Sequence, residues 1–293
     1  MNRKAAAVLI GVMTASILTG CGKGGNDNMD TNSKSNTSAL SSGEDAAASI
    51  SSSSKSSDDI EQTKILVAAA ASLKNAYDDK LIPMFQDQNP GILVEGTYDA
   101  SGKLQTQIEE GLEADIFMSA APKQMNDLND KGLIESDTMT DLLENKIVLI
   151  IPENDASDIT SFEDIERASS IAIGDPASVP VGQYSEEALT NLGIWDKIQD
   201  KISLGTNVTE VLNQVAAGSA DAGIVYATDA ASMPDKVKVV AEAPKDSVSK
   251  AIYPVAVVKN SKHTEEAKAF VDFLKTPEAI KVFEDYGFTN ALS

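Results

Sequence analysis

The sequence predicts an α/β protein of two lobes, and three observations predict it. From about residue 63 onward, short apolar runs alternate with segments whose apolar residues recur at helical spacing, the pattern of strand–helix units with mostly parallel sheets. That pattern breaks at a polar stretch and restarts at residues 146–151 (KIVLII), the most hydrophobic strand candidate in the chain. A length of 293 residues is enough for one or two domains with a sizeable core. The chain is therefore expected to cross between lobes near 145–151 and to return near 245–253.

The first segment is a processing signal by pattern. Arg3 and Lys4 precede an apolar stretch from Ala5 to Leu18, too short to favour a mature bilayer span, and Leu18-Thr19-Gly20-Cys21 follows. Residues 1–20 are expected to be a removed signal peptide. Leu-Thr-Gly-Cys resembles the bacterial lipobox, which implies lipidation of Cys21, the only Cys in the chain; two acyl chains meet the requirement for stable anchoring. Residues 22–61 hold no aromatic residue and 12 Ser, too little apolar surface to offset ordering, so residues 21–61 read as a lipidated Cys and a disordered tether. A coil of that length reaches about 35 Å.

In the folded part, residues 64–70 (KILVAAA) read as a buried strand, and Leu73, Ala76, Tyr77, Leu81 and Met84 mark a helix. Residues 93–98 form a second strand, Leu104, Ile108 and Leu112 a second helix, and residues 115–119 a third strand before a helix stopped by Gly132. After the restart come a strand at 171–173, helices over 182–192 and 208–217 closed by Gly193 and Gly218, and a strand at 222–226. Residues 252–258 are the last strand, where Pro254 suggests an edge or a crossing between lobes. Helices over 267–274 and 277–286 finish the chain. Lobe 1 is expected to comprise 62–145 plus 252–293, and lobe 2 residues 146–251.

Composition excludes several classes. Lys plus Arg total 24 against 45 Asp plus Glu, a net charge of −21 that repels phosphate backbones and argues against nucleic acid. One His and one Cys cannot supply a zinc or iron–sulfur ligand set. A ferric site would favour clustered Tyr, and the six here are scattered along the sequence. There is no G-x-S-x-G elbow and no P-loop, and the lone His263 is badly placed for base work, so no enzyme is expected. Arg167 is the only Arg beyond the signal and belongs on the surface, and Trp195 belongs in the core.

Four turns deliver the chain into a helix at a small polar residue or a Gly/Pro turn: Ser72, Ser101, the stretch Gly174 to Gly182, and Asn207. A helix N-terminus leaves N–H groups unpaired and carries about half a positive charge, so several converging on one cleft bind an anion without Lys or Arg. Taken singly, each turn is equally a plain helix cap.

Five fragments in order resemble the molybdate-binding proteins of ABC transporters. They are AAASLKNAY (69–77), SGKLQTQIEEGLEADIFMSA (101–120), GDPASVPVGQYSEEALTNLG (174–193), NVTEVLNQVAAGSADAGIVYATDA (207–230) and YPVAV (253–257). The resemblance implies a periplasmic-binding-protein-like (type II) fold with the ligand cleft between lobes. It implies capture of molybdate, with tungstate close behind, by a monomer that serves a permease and its ATPase from the membrane surface, with no cofactor. Carried over residue by residue, the oxyanion is held by hydroxyl and backbone N–H of Ser72 and Ser101, by backbone N–H of Val181 and Val208, and by the hydroxyl of Tyr226. Molybdenum meets the chain only as the oxyanion, through these residues. Position 181 is often Ala in the family, so Val181 stands to crowd the cleft, and Gly102 replaces a Ser found in some members. Another oxyanion such as sulfate, or a small organic anion, is the alternative ligand, and a surface receptor without transport partners the alternative role. Asp99 and Asp175 lie close to the proposed donors and are expected to turn away and cap local N–H groups.

Overall fold

The computed structural model describes residues 62–292. The expected signal peptide, Cys21 and the tether lie outside the described residues.

Strand β1 (Thr63–Ala70) is apolar without a break from Ile65 onward because both its faces are covered there, as a central parallel strand requires. It leads into helix α1 (residues 71–88), which starts as the 3-10 turn Ala71–Leu73, widens into a π-type turn at Tyr77–Leu81 and ends as the α-helix Ile82–Gln88. There follow β2 (Ile92–Asp99), α2 (Ser101–Glu109), β3 (Ile116–Met118), α3 (Pro122–Asp130) and β4 (Thr140–Asn145). The chain then enters a second set: β5 (Ile147–Pro152), β6 (Ile171–Gly174), α4 (Pro180–Asn191), β7 (Ile202–Gly205), α5 (Val208–Ala216), β8 (Ala222–Tyr226), α6 (Ala227–Ala231) and β9 (Val237–Glu242). It closes with β10 (Ala251–Val257), α7 (Thr264–Leu274), α8 (Pro277–Asp285) and the two-residue β11 (Thr289–Asn290).

Two sheets result, in the orders β11-β4-β10-β3-β1-β2 and β7-β6-β8-β5-β9. They are mixed, which corrects the expectation of mostly parallel sheets. Strands β1, β2 and β3 are parallel, as are β6, β7 and β8. The strands flanking the passage between sheets, β4, β5 and β10, pair antiparallel, because a chain that leaves one sheet and returns must run back against it. Pro254 is also not on an edge. β10 pairs on both sides, and the register slips between Tyr253 and Pro254, where the missing N–H costs no ladder bond. Strands β4, β7, β9 and β11 escaped the sequence reading. β4 (TDLLEN) and β9 (VKVVAE) carry charges, and β7 lies on an edge with Leu204 half exposed.

Gly132, Gly193 and Gly218 end their helices with φ near +70°, the left-handed position that glycine adopts without cost. One face of the first sheet packs Ala68, Phe117 and Ala256 against Leu104, Met125 and Leu128 of α2 and α3. A larger core runs from its other face through the second sheet. Trp195 is only partly buried at the margin of this core, not inside it, because it opens a short 3-10 turn at the surface. No helix among the described residues is long and apolar enough to cross a membrane.

Candidate functional site

All six strands of the two parallel sets end at the same place. β1, β2 and β3 finish at Ala70, Asp99 and Met118; β6, β7 and β8 finish at Gly174, Gly205 and Tyr226. Ligands of open α/β sheets bind beyond the carboxyl ends of strands, and here two such ends face each other. The structure brings all five predicted residues, Ser72, Ser101, Val181, Val208 and Tyr226, to the wall of one small cavity. Among the described residues no Lys, Arg or His lines it.

The helix starts differ from the expectation in an instructive way. Ser72 and Ser101 are not N-caps. The caps are Ala70 and Ala100, with no side-chain cap hydrogen bond, and the two serines lie in the first turn. An Ala cap occupies none of the orphan N–H groups, so they stay available to a ligand. Val179 caps α4 equally passively, and Pro180, which has no N–H, makes Val181 the first donor of that helix. Only Asn207 behaves as read, its side chain accepting from Glu210 N. α4 reaches its position because Gly174 and Gly182 are stacked backbone to backbone: a Cβ on Gly182 would sit 2.1 Å from the Gly174 carbonyl oxygen.

Each hydroxyl has a defined neighbour. Ser101 is fully buried and its Oγ accepts from Ala120 N at 3.0 Å, leaving its proton for the cavity. Ser72 Oγ lies 3.0 Å from the Tyr253 hydroxyl. The Tyr226 hydroxyl donates to Ala120 O at 3.3 Å. Burial pushes the Tyr226 and Tyr253 hydroxyls well above the ordinary tyrosine range, so both keep their protons at neutral pH.

The two sets of elements also touch around the cavity. Gly102 N donates to Ser178 O at 2.9 Å, Gln124 Nε2 to Gln183 Oε1 at 3.2 Å, and Asn207 Nδ2 to Asp99 Oδ1 at 3.2 Å. Gly102 offers no side-chain donor. A Cβ there would lie 2.4 Å from Ser178 O, so its bareness allows the close approach. The cavity left between is about 10 Å³, room for about one water. Val181 is fully buried in its wall.

The two worrying carboxylates divide. Asp175 turns away and accepts from Ala177 N at 3.0 Å. Asp99 accepts from Ala100 N at 2.8 Å, as expected, yet it stays on the cavity wall, with Lys103 Nζ 3.4 Å away. Three tyrosines that are scattered in sequence come together: Tyr226 stacks edge-on between Tyr184 at 6.4 Å and Tyr253 at 5.5 Å. No group of three or more His, Cys, Asp or Glu side chains among the described residues is placed to hold a metal ion. Arg167 is exposed and paired with Asp164, while His263 is partly buried ahead of α7.

Several residues around the site went unassigned in the sequence reading. Tyr253 lies in the YPVAV fragment, and Asn145 and Thr228 join it through hydrogen bonds of 3.3 and 2.9 Å from Asn145 Nδ2. Beside the cavity, sharing Ala71 and Ser72 with it, runs a groove of about 540 Å³. Asp229 on its wall is 7% exposed, its Oδ2 has no hydrogen-bond partner, and burial pushes its carboxyl up to about 7.

With that geometry in hand, known proteins are informative. The family model for bacterial extracellular solute-binding protein matches residues 65–289. The YvgL protein of Bacillus subtilis (strain 168), provisionally named an ABC transporter substrate-binding lipoprotein, is 42% identical over 229 residues, 78% of this chain and 87% of its own. The molybdate-binding protein ModA of Escherichia coli (strain K12) is 39% identical over 235 residues, 78% of this chain and 90% of its own. The periplasmic molybdate-binding protein of Azotobacter vinelandii shares the fold, with a TM-score of 0.67 at 23% identity over 77% of this chain and 98% of its own. These relatives are solute-binding proteins rather than enzymes. The chain belongs to the bacterial extracellular solute-binding protein family.

Proposed function

We propose that this protein captures molybdate, and tungstate about equally well, between its two lobes and passes it to the permease and ATPase of an ABC importer. One observation carries the reading: helix N-termini without side-chain caps, two serine hydroxyls and one tyrosine hydroxyl converge on a single cavity that no cationic side chain lines. A fully ionised oxyanion has only acceptors, and this wall offers donors: the Asp99 carboxylate on it is engaged by Ala100 N and Asn207 Nδ2, and the Tyr226 hydroxyl must exchange its 3.3 Å bond to Ala120 O for the ion. Hydrogen bonds to a charged group contribute about 1.5–3 kcal/mol each, so about seven of them offset desolvation with a surplus. The relatives named for molybdate support the choice of ion. No cofactor is needed.

The cavity is narrower than a tetrahedral oxyanion, so binding requires the lobes to part and settle around the ion. The same narrowness favours the smaller sulfate as a second reading. In this reading residues 1–20 are removed, Cys21 carries the lipid, residues 21–61 tether a monomer to the membrane, and the lobes are 62–145 with 252–293 and 146–251. The name of the YvgL protein supports the anchor.

Thermal unfolding with molybdate, tungstate, sulfate and phosphate tests the ligand. An ion at a thousand times its dissociation constant stabilises the native state by about 4 kcal/mol, a large melting shift. Molybdate and tungstate are expected to give it. A shift with sulfate alone moves the assignment to sulfate, and no shift with any of them ends the oxyanion reading.

A further inference from the structure

A serine hydroxyl can donate or accept, so a site built to hold an anion needs something to direct its proton. For Ser101 the backbone does this, since Ala120 N–H fills the acceptor side of Oγ. Ser72 has a longer arrangement that starts at the passage between β4 and β5. Lys146 N–H donates to Asn145 Oδ1 at 2.8 Å, which settles which end of that amide is oxygen. Asn145 Nδ2 is therefore the donor end, and its two protons face Thr228 Oγ1 at 2.9 Å and the Tyr253 hydroxyl at 3.3 Å. Tyr253 is fully buried and its hydroxyl stays protonated. Having accepted from Asn145, that hydroxyl keeps a proton to donate, and Ser72 Oγ lies 3.0 Å away; the Tyr226 hydroxyl, its own proton turned to Ala120 O, is its other neighbour. The nearby Asp229 Oδ2 takes no hydrogen bond. A Tyr253 proton given to Ser72 Oγ fills the acceptor side of that hydroxyl and leaves its own proton for the cavity it lines.

We propose that Asn145 and Tyr253, neither of which lines the cavity, are positioning residues that direct the Ser72 hydroxyl to donate into the cleft and so select oxyanions that bear no proton. The inference rests on the oxyanion reading above and adds a selectivity device to it. A chain of hydrogen bonds with one direction cannot receive the O–H of a monoprotonated ion such as hydrogen phosphate. That ion would meet donor against donor, and an unmatched buried donor is costly.

The test is a double-mutant cycle read by calorimetry with molybdate, using the wild type, Tyr253→Phe, Ser72→Ala and the double variant. Tyr253→Phe is expected to weaken molybdate binding about 5- to 10-fold when Ser72 is present and less than about 2-fold when it is Ala. Phosphate, silent against the wild type, is expected to compete with molybdate on Tyr253→Phe, because the freed Ser72 hydroxyl can turn and accept. An equal loss in both backgrounds means Tyr253 acts only as structure and overturns the proposal; phosphate staying silent overturns its selectivity half. If circular dichroism shows Tyr253→Phe unfolded, Asn145→Ala takes its place in the same cycle with the same expectations. A wild type that binds no molybdate removes the oxyanion reading and this device together, whereas binding without Ser72-dependent coupling removes the device alone.

Discussion

Asp229 occupies an unusual position for a carboxyl group, buried beside two tyrosines with one oxygen unpaired. The Tyr226 backbone at the start of α6 offsets only part of that burial. Because burial raises its folded pKa to about 7, Asp229 costs nothing below the ordinary carboxylate range and progressively more above it. The unfolded chain ionises near pH 4 while the folded one resists until about 7, so stability contributed by the neutral acid is lost across that window. The wild type is expected to lose up to about 1.4 kcal/mol per pH unit between pH 4 and 7 relative to Asp229→Asn, then to run parallel to it. Urea titrations of both proteins across pH check this, and curves parallel throughout would refute it. Residue-level legibility was uneven. That Ser72, Ser101 and the turns before Val181 and Val208 belong together was readable from a recurring pattern at element boundaries, whereas Tyr226 came only from the family resemblance. Capping roles were not readable, since a serine at the cap and one inside the first turn have the same local sequence, and only the backbone angles at Ala70 and Ala100 separate them. Nor could the sequence show that Asp99 would accept from Asn207 across the cleft, a contact between residues far apart in the chain.

Among the elements, α4 shows what packing demands of the site. Its first turn rests on the end of β6 with Gly182 against Gly174, closer than any side chain permits. Gly182→Ala is expected to cost about 1–3 kcal/mol and to weaken anion binding, since the Val181 N–H moves with the helix. Gly91→Ala, where a Cβ meets nothing within 4 Å, is the control and should stay near neutral. Denaturant midpoints and calorimetry on the pair measure both effects; equal stability would refute the packing account. Elements with a buried face and a clear period were legible, including the three helix ends at Gly132, Gly193 and Gly218. Those that failed, β4, β7 and β9, are short or carry charges along a pleat, and their pairing partners are what make them strands. The direction of β10 was also out of reach, because a strand's neighbours are a property of the whole sheet.

For the molecule as a whole, the net charge of −21 opposes the oxyanion proposed above, so in that reading recognition depends on dipoles at short range and capture works against a repulsive field. Salt screens that field over about 8 Å at physiological ionic strength. Association with molybdate is therefore expected to quicken as salt rises, opposite to the behaviour of a site lined with lysines; stopped-flow tryptophan fluorescence from Trp195 across a salt series measures it, and a rate that falls with salt would refute it. The topology has a further consequence, in time rather than in space. Every strand of the second sheet comes from residues 147–242, whereas the first sheet has β10, from residues 251–257, wedged between β3 and β4. As the chain emerges from its N-terminus onward, the later-encoded sheet can close on itself first. The one that begins the fold must wait, its β1, β2 and β3 in place but unable to join β4, until almost the last residues arrive.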